Sequence, residues 1–459
     1  YNLYYGGLYM NSKYTDLFHE LIQAYYDGNF DETLSRIMVC HESSPQETFK
    51  IITSLCGVNI EFDNNYIYNL KKAITMYSVN KRIVEKLECS GVNCIKSKDD
   101  KFTCEAACPF NAIKYDTTNK TTYISKDICI NCGICVDSCK GGRILDKVEF
   151  IPVMNLIKEN KTVIAAVAPA INGQFGDNVT MDMLREAFIK IGFSDMIEVA
   201  FAADILSIKE ACEFDKHVNK DGDLMITSCC CPMWVGMLKK VYTSLVKDLS
   251  PSISPMIAAG RIIKKINPDA KVVFIGPCIA KKAEAKENDL KDVIDFVLTF
   301  AELDEIFKAL KIDLSSLKGI PSKDYTSRGG RMYARSGGVS TAVSDIIEEL
   351  YPDKFKSFKS STASGVKECK EILEKALNKE LDSNFIEGMG CKGGCVGGPK
   401  TLIPLEKGKQ QVDNFAFDSP IKVPLHSETL DNILKEIGIN SIDDFKDKQK
   451  MSLFERDFN

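Results

Sequence analysis

From residue 160 onward, dense apolar runs alternate with stretches whose apolar residues recur every three or four positions. The runs TVIAAVAPA (Thr162 to Ala170), MIEVAF, LMITS, KVVFIGP and DVIDFVLT predict buried strands, and MDMLREAFIKIG, ADILSIKEACEFDKHV and AELDEIFKALKI predict amphipathic helices between them. Strands and helices in regular alternation predict an α/β fold with largely parallel sheets. In such sheets the loops that leave the carboxyl ends of strands carry the chemistry.

The two ends of the chain read differently. Residues 1–85, with TDLFHELIQAYYDG and ETFKIITSLCG, predict short helices packed on the segment that follows them, and Cys40, His41 and Cys56 form no ligand set there. Residues 401–459, with LDNILKEIGINSIDDFKDK, predict a helical extension on the central domain. Boundaries are expected at 1–85, 86–147, 148–400 and 401–459. The best apolar run, TVIAAVAPAI, is broken by Pro169 and is too short to cross a bilayer. YNLYYGGLYM lacks the basic and apolar regions of an export signal, so a cytoplasmic location is expected.

Composition changes this picture in one respect. A hydrophobic content of 44% with 27% charge is ordinary, and the net charge of −5 comes without a polybasic block, so neither a nucleic-acid track nor a membrane-surface patch is indicated. Eighteen cysteines are not ordinary. In a long chain with no export signal they point to metal rather than to a disulfide framework.

Their spacing is specific. DICINCGICVDSCK holds Cys129, Cys132, Cys135 and Cys139 in the C-x2-C-x2-C-x3-C run of a bacterial [4Fe–4S] site, in which the fourth cysteine reaches the other cluster of a two-cluster fold. The second set, Cys89, Cys94, Cys104 and Cys108, has longer gaps but the same terminal C-x3-C-P. Crossing assigns Cys89, Cys94, Cys104 and Cys139 to one cluster and Cys108, Cys129, Cys132 and Cys135 to the other. Zinc held by the same thiolates is the alternative. Two clusters form an electron wire, which implies a redox terminus in the rest of the chain.

Three further motifs carry thiols. TSCCCPMW (Thr227 to Trp234) follows LMI, GPCIAKKAE (Gly276 to Glu284) follows KVVFI, and EGMGCKGGCVGGP (Glu387 to Pro399) sets Cys391 and Cys395 four apart among six glycines. Together they resemble the three signature loops of the iron-only ([FeFe]) hydrogenases, and the resemblance runs from about Cys89 to Pro399. It implies a two-lobed α/β catalytic domain with parallel-type sheets around a buried H-cluster, preceded by a ferredoxin-like α+β domain with two [4Fe–4S] clusters. The H-cluster is a [4Fe–4S] cube bridged to a diiron unit with CO, cyanide and azadithiolate ligands.

Carried over by position, the resemblance makes Cys278, Cys391 and Cys395 cube ligands, with Cys395 bridging. In the first loop, anchoring on Pro-x-Trp matches Cys231 to the ligand and Cys230 to the proton-relay thiol; anchoring on Thr-Ser shifts these roles to Cys230 and Cys229. The proline anchor is preferred because it aligns Ser250 with the proton-path serine without a gap, leaving Cys229 as a small buried filler. Glu210 and Glu213, three apart on one helical face, match the relay glutamates, and His217 stands where the family has an arginine at the surface mouth. Lys281 matches the lysine on one cyanide, Ala168 and Pro169 the wall around the other, and Met389 a methionine near the diiron bridge. Lys282 reads as a surface lysine. Gly276 replaces the family's methionine, which removes bulk and a soft sulfur.

The implied activity is 2H⁺ + 2e⁻ ⇌ H₂, with ferredoxin or another low-potential carrier as partner and maturation enzymes to install the diiron unit. TSCCCPMW itself resembles a less-studied clostridial branch. A hydrogen sensor with the same cofactor and very low turnover is the alternative. A hydrogenase-like iron–sulfur protein without the diiron site is a further one.

Overall fold

The computed structural model describes residues 12–77, 83–89, 91, 94, 96–220, 222–227, 230–322 and 326–458. Cys229, expected as a filler, and the opening YNLYYGGLYM lie outside them.

Four amphipathic helices come first: Thr15–Asp27, Phe30–Cys40, Pro45–Leu55 and Tyr66–Thr75. They were expected on the cysteine-rich segment alone, but they pack on both that segment and the central domain. Thr15–Asp27 lies along Phe300–Ala309, where His19 Nε2 meets Glu305 Oε2 at 2.7 Å, and Phe18 and Leu21 share one core with Phe300 and Leu303. Arg143 grips Glu47 with two hydrogen bonds of 2.6 and 2.7 Å on the other side. The physical reason is that each helix carries a broad apolar stripe, which one small neighbour could not cover.

The cysteine-rich segment contains two short antiparallel pairs, β1 (Val84–Lys86) with β4 (Ile144–Asp146) and β2 (Ile113–Asp116) with β3 (Thr121–Ile124). Two five-residue helices, Thr103–Ala107 and Ile134–Ser138, lie between them.

Two parallel sheets follow. The first contains β5 (Val163–Val167), β6 (Asp195–Glu198), β8 (Lys271–Gly276) and β9 (Phe296–Thr299) in the order β6-β5-β8-β9; the second contains β7 (Met225–Ile226), β10 (Ser360–Ser364) and β11 (Phe385–Met389) in the order β10-β11-β7. Helical crossovers cover the faces of these sheets, so the central strands β5, β8 and β11 and the edge strand β9 are buried along nearly their whole length, whereas the edge strand β10, SSTAS, is polar and largely exposed. The run MIEVAF yields strand only to Glu198, because the helix Ala200–His217 claims Phe201 for its buried side. LMITS yields two residues of strand, after which Thr227 N donates to Ile386 O and the chain turns into the first motif.

The last segment packs back on the central domain. The helix Leu405–Phe417 lies against Arg328–Met332, with Arg335 bonded to Asp413. Among the described residues, no helix is long and apolar enough to cross a membrane.

Candidate active site

Each motif loop is shaped by its own sequence. In the first, Pro232 occupies the opening position of the helix Pro232–Lys240, where a missing N–H costs nothing, and Cys231 stands just before it. Trp234, fully buried, donates from Nε1 to Thr227 O at 2.9 Å and ties the loop shut. The second loop leaves β8 and enters the short helix Ala280–Glu284. The third leaves β11, whose Glu387 carboxylate accepts from Gly337 N, Ser340 N and Ser340 Oγ, each at 2.8 Å, and so pins the strand to the start of a helix.

The three loops bring four thiols together. Cys278 feels the charge of Cys231, and Cys391 and Cys395 each feel Cys278 and Cys231. Burial pushes Cys278 up to about 11, Cys395 up to about 12 and Cys391 well above the ordinary thiol value. All four are free cysteines. Buried thiols that resist ionisation alone suit a site where metal supplies the positive charge. Gly390 N donates to Cys231 Sγ at 3.3 Å.

An apolar cavity of about 50 Å³ opens beside them, lined by Ala168, Pro169, Cys230, Phe274, Lys281 and Cys395 among others. Cys230 is buried, and its Sγ lies 3.6 Å from Met389 Sδ. Lys281 Nζ donates to Glu284 Oε2 at 2.7 Å; burial would lower its pKa, but Glu284, Cys278 and Cys395 outweigh this and hold it raised.

Two hydrogen-bonded sets of polar groups lie on the outward side of these thiols. Glu210 is fully buried and accepts from Thr227 Oγ1 at 2.8 Å. Ser250, anchored beside β7 by its N–H to Ile226 O, donates to Glu213 Oε2 at 2.7 Å. His217 is exposed at the helix end and makes no hydrogen bond or ion pair with Glu213 among the described residues.

The other eight cysteines fall into two groups. Cys104 lies near Cys94 and Cys139, and Lys86 feels Cys89, Cys104 and Cys139 together. Cys135 lies near Cys132, Cys129 and Cys108. Backbone N–H groups of Ala112, Asn131 and Arg143 donate to the sulfurs of Cys108, Cys129 and Cys139 at 3.2, 3.4 and 3.3 Å. Cys132 in turn lies near Cys278 and Cys391, so the second group adjoins the four-thiol site. The close fit depends on Gly133, at φ +82°, where a Cβ would fall 2.3 Å from Ile279 Cδ1. Among the described residues no three such ligands converge as tightly as one metal ion requires. A cube spreads its sulfurs around a larger body.

Comparison with known proteins decides the family. Residues 161–399 match the model of the iron-only hydrogenase large subunit, C-terminal domain. The chain belongs to this family. Iron hydrogenase 1 of Clostridium pasteurianum is 27% identical over 395 residues, covering 65% of this chain and 68% of that protein. The NADP-reducing hydrogenase subunit HndD of Solidesulfovibrio fructosivorans is 26% identical, covering 60% of this chain and 56% of that subunit. Protein NAR1 of Arabidopsis thaliana is 23% identical, covering 69% and 83%. The solved [FeFe]-hydrogenase HydA1 from Chlamydomonas reinhardtii superimposes with a TM-score of 0.54 at 21% identity, covering 64% of this chain and 93% of that one, which establishes a shared fold. Membership in the iron-only hydrogenase family brings iron–sulfur binding with it.

Within the family frame, two sequence expectations need correction. Lys282 is not a surface lysine: its side chain is fully buried, ion-paired with Glu302 and with Asp146 at 3.4 Å, because its helix is wedged between β4 and the central sheet. Gly276 does not leave empty bulk either. A Cβ there would fall 2.6 Å from the Phe274 ring, which lines the cavity in place of a methionine. Phe274 escaped notice because in KVVFIGP it reads only as strand core.

Proposed function

We propose that the chain is an [FeFe] hydrogenase of the TSCCCPMW-bearing clostridial branch, catalysing 2H⁺ + 2e⁻ ⇌ H₂. The observation that carries this reading is the gathering of four thiols from three separate loops beside an apolar cavity that also receives Cys230 and Lys281. Cys231, Cys278, Cys391 and Cys395 would hold the cube of the H-cluster. When bound, that assembly supplies the redox chemistry of hydrogen.

The chain's own residues do the rest. Cys230 holds the innermost proton at Sγ, since a thiol titrates nearer neutrality than a hydroxyl. Glu210, Ser250 and Glu213 carry protons between that thiol and the surface. Lys281 offers a charge-assisted donor to an anionic ligand, Ala168, Pro169 and Phe274 wall the cavity and exclude water, and Met389 sits against the Cys230 sulfur. Residues 86–147 serve as a ferredoxin-like module with two [4Fe–4S] clusters, Cys89, Cys94, Cys104 and Cys139 in the outer and Cys108, Cys129, Cys132 and Cys135 in the inner, the electron partner being ferredoxin or a similar carrier in the cytoplasm.

A second reading, an iron–sulfur assembly factor, draws on the similarity to the cytosolic Fe-S cluster assembly factor NAR1 homolog of Schizosaccharomyces japonicus, 24% identical. Hydrogen evolution from reduced methyl viologen separates the two. Protein loaded anaerobically with the full cofactor turns over, and Cys230→Ala lowers the rate by about 10²–10⁴-fold with iron content unchanged. An iron-replete parent that makes no hydrogen would leave the assembly or sensor reading standing.

A further inference from the structure

The polar groups around Glu213 do not lead to His217. Glu213 turns away from it toward Lys209, one turn earlier on the same helix, whose side chain is fully buried. Lys209 Nζ pairs with Glu213, donates to Ser252 Oγ at 3.1 Å and meets Glu455 Oε1 at 3.2 Å. Ser250 Oγ joins the same knot, 2.7 Å from Glu213 Oε2 and 2.8 Å from Ser252 Oγ. The Glu455 side chain is 25% exposed and that of Glu213 only 12%. Water therefore meets Glu455 first.

Glu455 is not on a loose tail. Ser252 and Glu455 form an antiparallel bridge, flanked by Ile253 N to Phe454 O and Arg456 N to Pro251 O, each 2.9 Å. Arg261 donates to the carbonyls of Leu453 and Glu455 at 3.0 Å, and Arg456 pairs with Glu287 and Asp289. The chain's last residues thus form an edge along the Ser250 loop.

We propose that Glu455 is the solvent-side terminus of the proton path and that Lys209 is the positioning residue that holds it against Glu213. The inference rests on the hydrogenase reading. One ammonium gathers both carboxylates, so a single water can join them. Burial would lower the pKa of Lys209, but Glu213 and Glu455 outweigh this, with Glu210 adding to them, and keep it charged. A permanently charged lysine has no lone pair with which to accept a proton, which assigns transport to the carboxylates. In hydrogen formation Glu455 takes a proton from an acid in solution, passes it to Glu213 and returns to its anion; in hydrogen uptake the same transfers run backward.

The test uses the full chain with Glu455→Gln, Glu455→Asp and His217→Ala. Turnover at saturating electron donor falls by about tenfold or more in Glu455→Gln, recovers in part in Glu455→Asp and on adding acetic acid, and falls less in His217→Ala. A loss that acetic acid does not relieve, or a larger loss in His217→Ala, overturns the proposal. A second readout needs no turnover. In protein lacking the diiron unit, the carboxylate infrared band of Glu213, assigned with Glu213→Gln, shifts in frequency in Glu455→Gln because Lys209 is no longer shared between two carboxylates. An unmoved band refutes the placement of Glu455. A parent that makes no hydrogen refutes the hydrogenase reading instead, and the infrared band still decides where Glu455 sits.

Discussion

Asp204 lies on the same helix as Glu210, six residues earlier, and is fully buried. It accepts from Ser327 N at 2.8 Å and from Ser327 Oγ, yet burial outweighs these bonds and pushes its carboxyl up to about 7. The folded state therefore holds a proton that the unfolded chain releases near 4. This group's contribution to stability is complete below about pH 4 and is lost as pH rises to about 7. In urea denaturation between those values, Asp204→Asn should flatten the fall of stability with pH. An unchanged slope would mean that Asp204 is ionised in the fold.

Among elements, β8 shows how a strand and its loop share one volume. Phe274 and Gly276 are two apart, so both side chains project to the same face of the strand. The ring of Phe274 occupies what a side chain at Gly276 would need. Gly276→Met alone should overpack the site and destabilise the protein by about 1–3 kcal/mol. Adding Phe274→Ala should restore part of that loss, and additive effects in the double-mutant cycle would contradict the shared volume. The strand itself was legible in KVVFIGP because a run buried on both faces needs only apolar residues. Which of those residues turns toward a cavity depends on the loops across from it. For the same reason LMITS announced a strand but not its two-residue length, which the pairing of β7 with β11 sets.

At the scale of the whole molecule, Lys282 joins the cysteine-rich segment to the central domain. Its ammonium meets Glu302 on one side and Asp146 and the carbonyl of Lys147 on the other, while Lys400 lies 3.5 Å from Asp137 and 3.6 Å from Asp146. Lys282→Met leaves the buried Glu302 carboxyl without its cation while Asp146 keeps Lys400, a change that should cost about 3 kcal/mol in chemical denaturation. A cost below about 1 kcal/mol would show that the junction tolerates its loss.

The chain alone determined the cysteine spacings, the three thiol loops and the alternation of strand with helix. Cluster chemistry demands particular residue types at particular intervals, and buried parallel strands demand apolar runs, so both leave a local trace. Tertiary structure alone decided that Lys282 is buried, that Phe274 fills the place beside Gly276, and that Lys209 brings Glu455 to the Glu213 side of the helix. Lys282 meets Asp146 from 136 positions away, and Lys209 meets Glu455 across more than half of the chain. Contacts at that separation arise from packing, and no local pattern of polar and apolar residues encodes them.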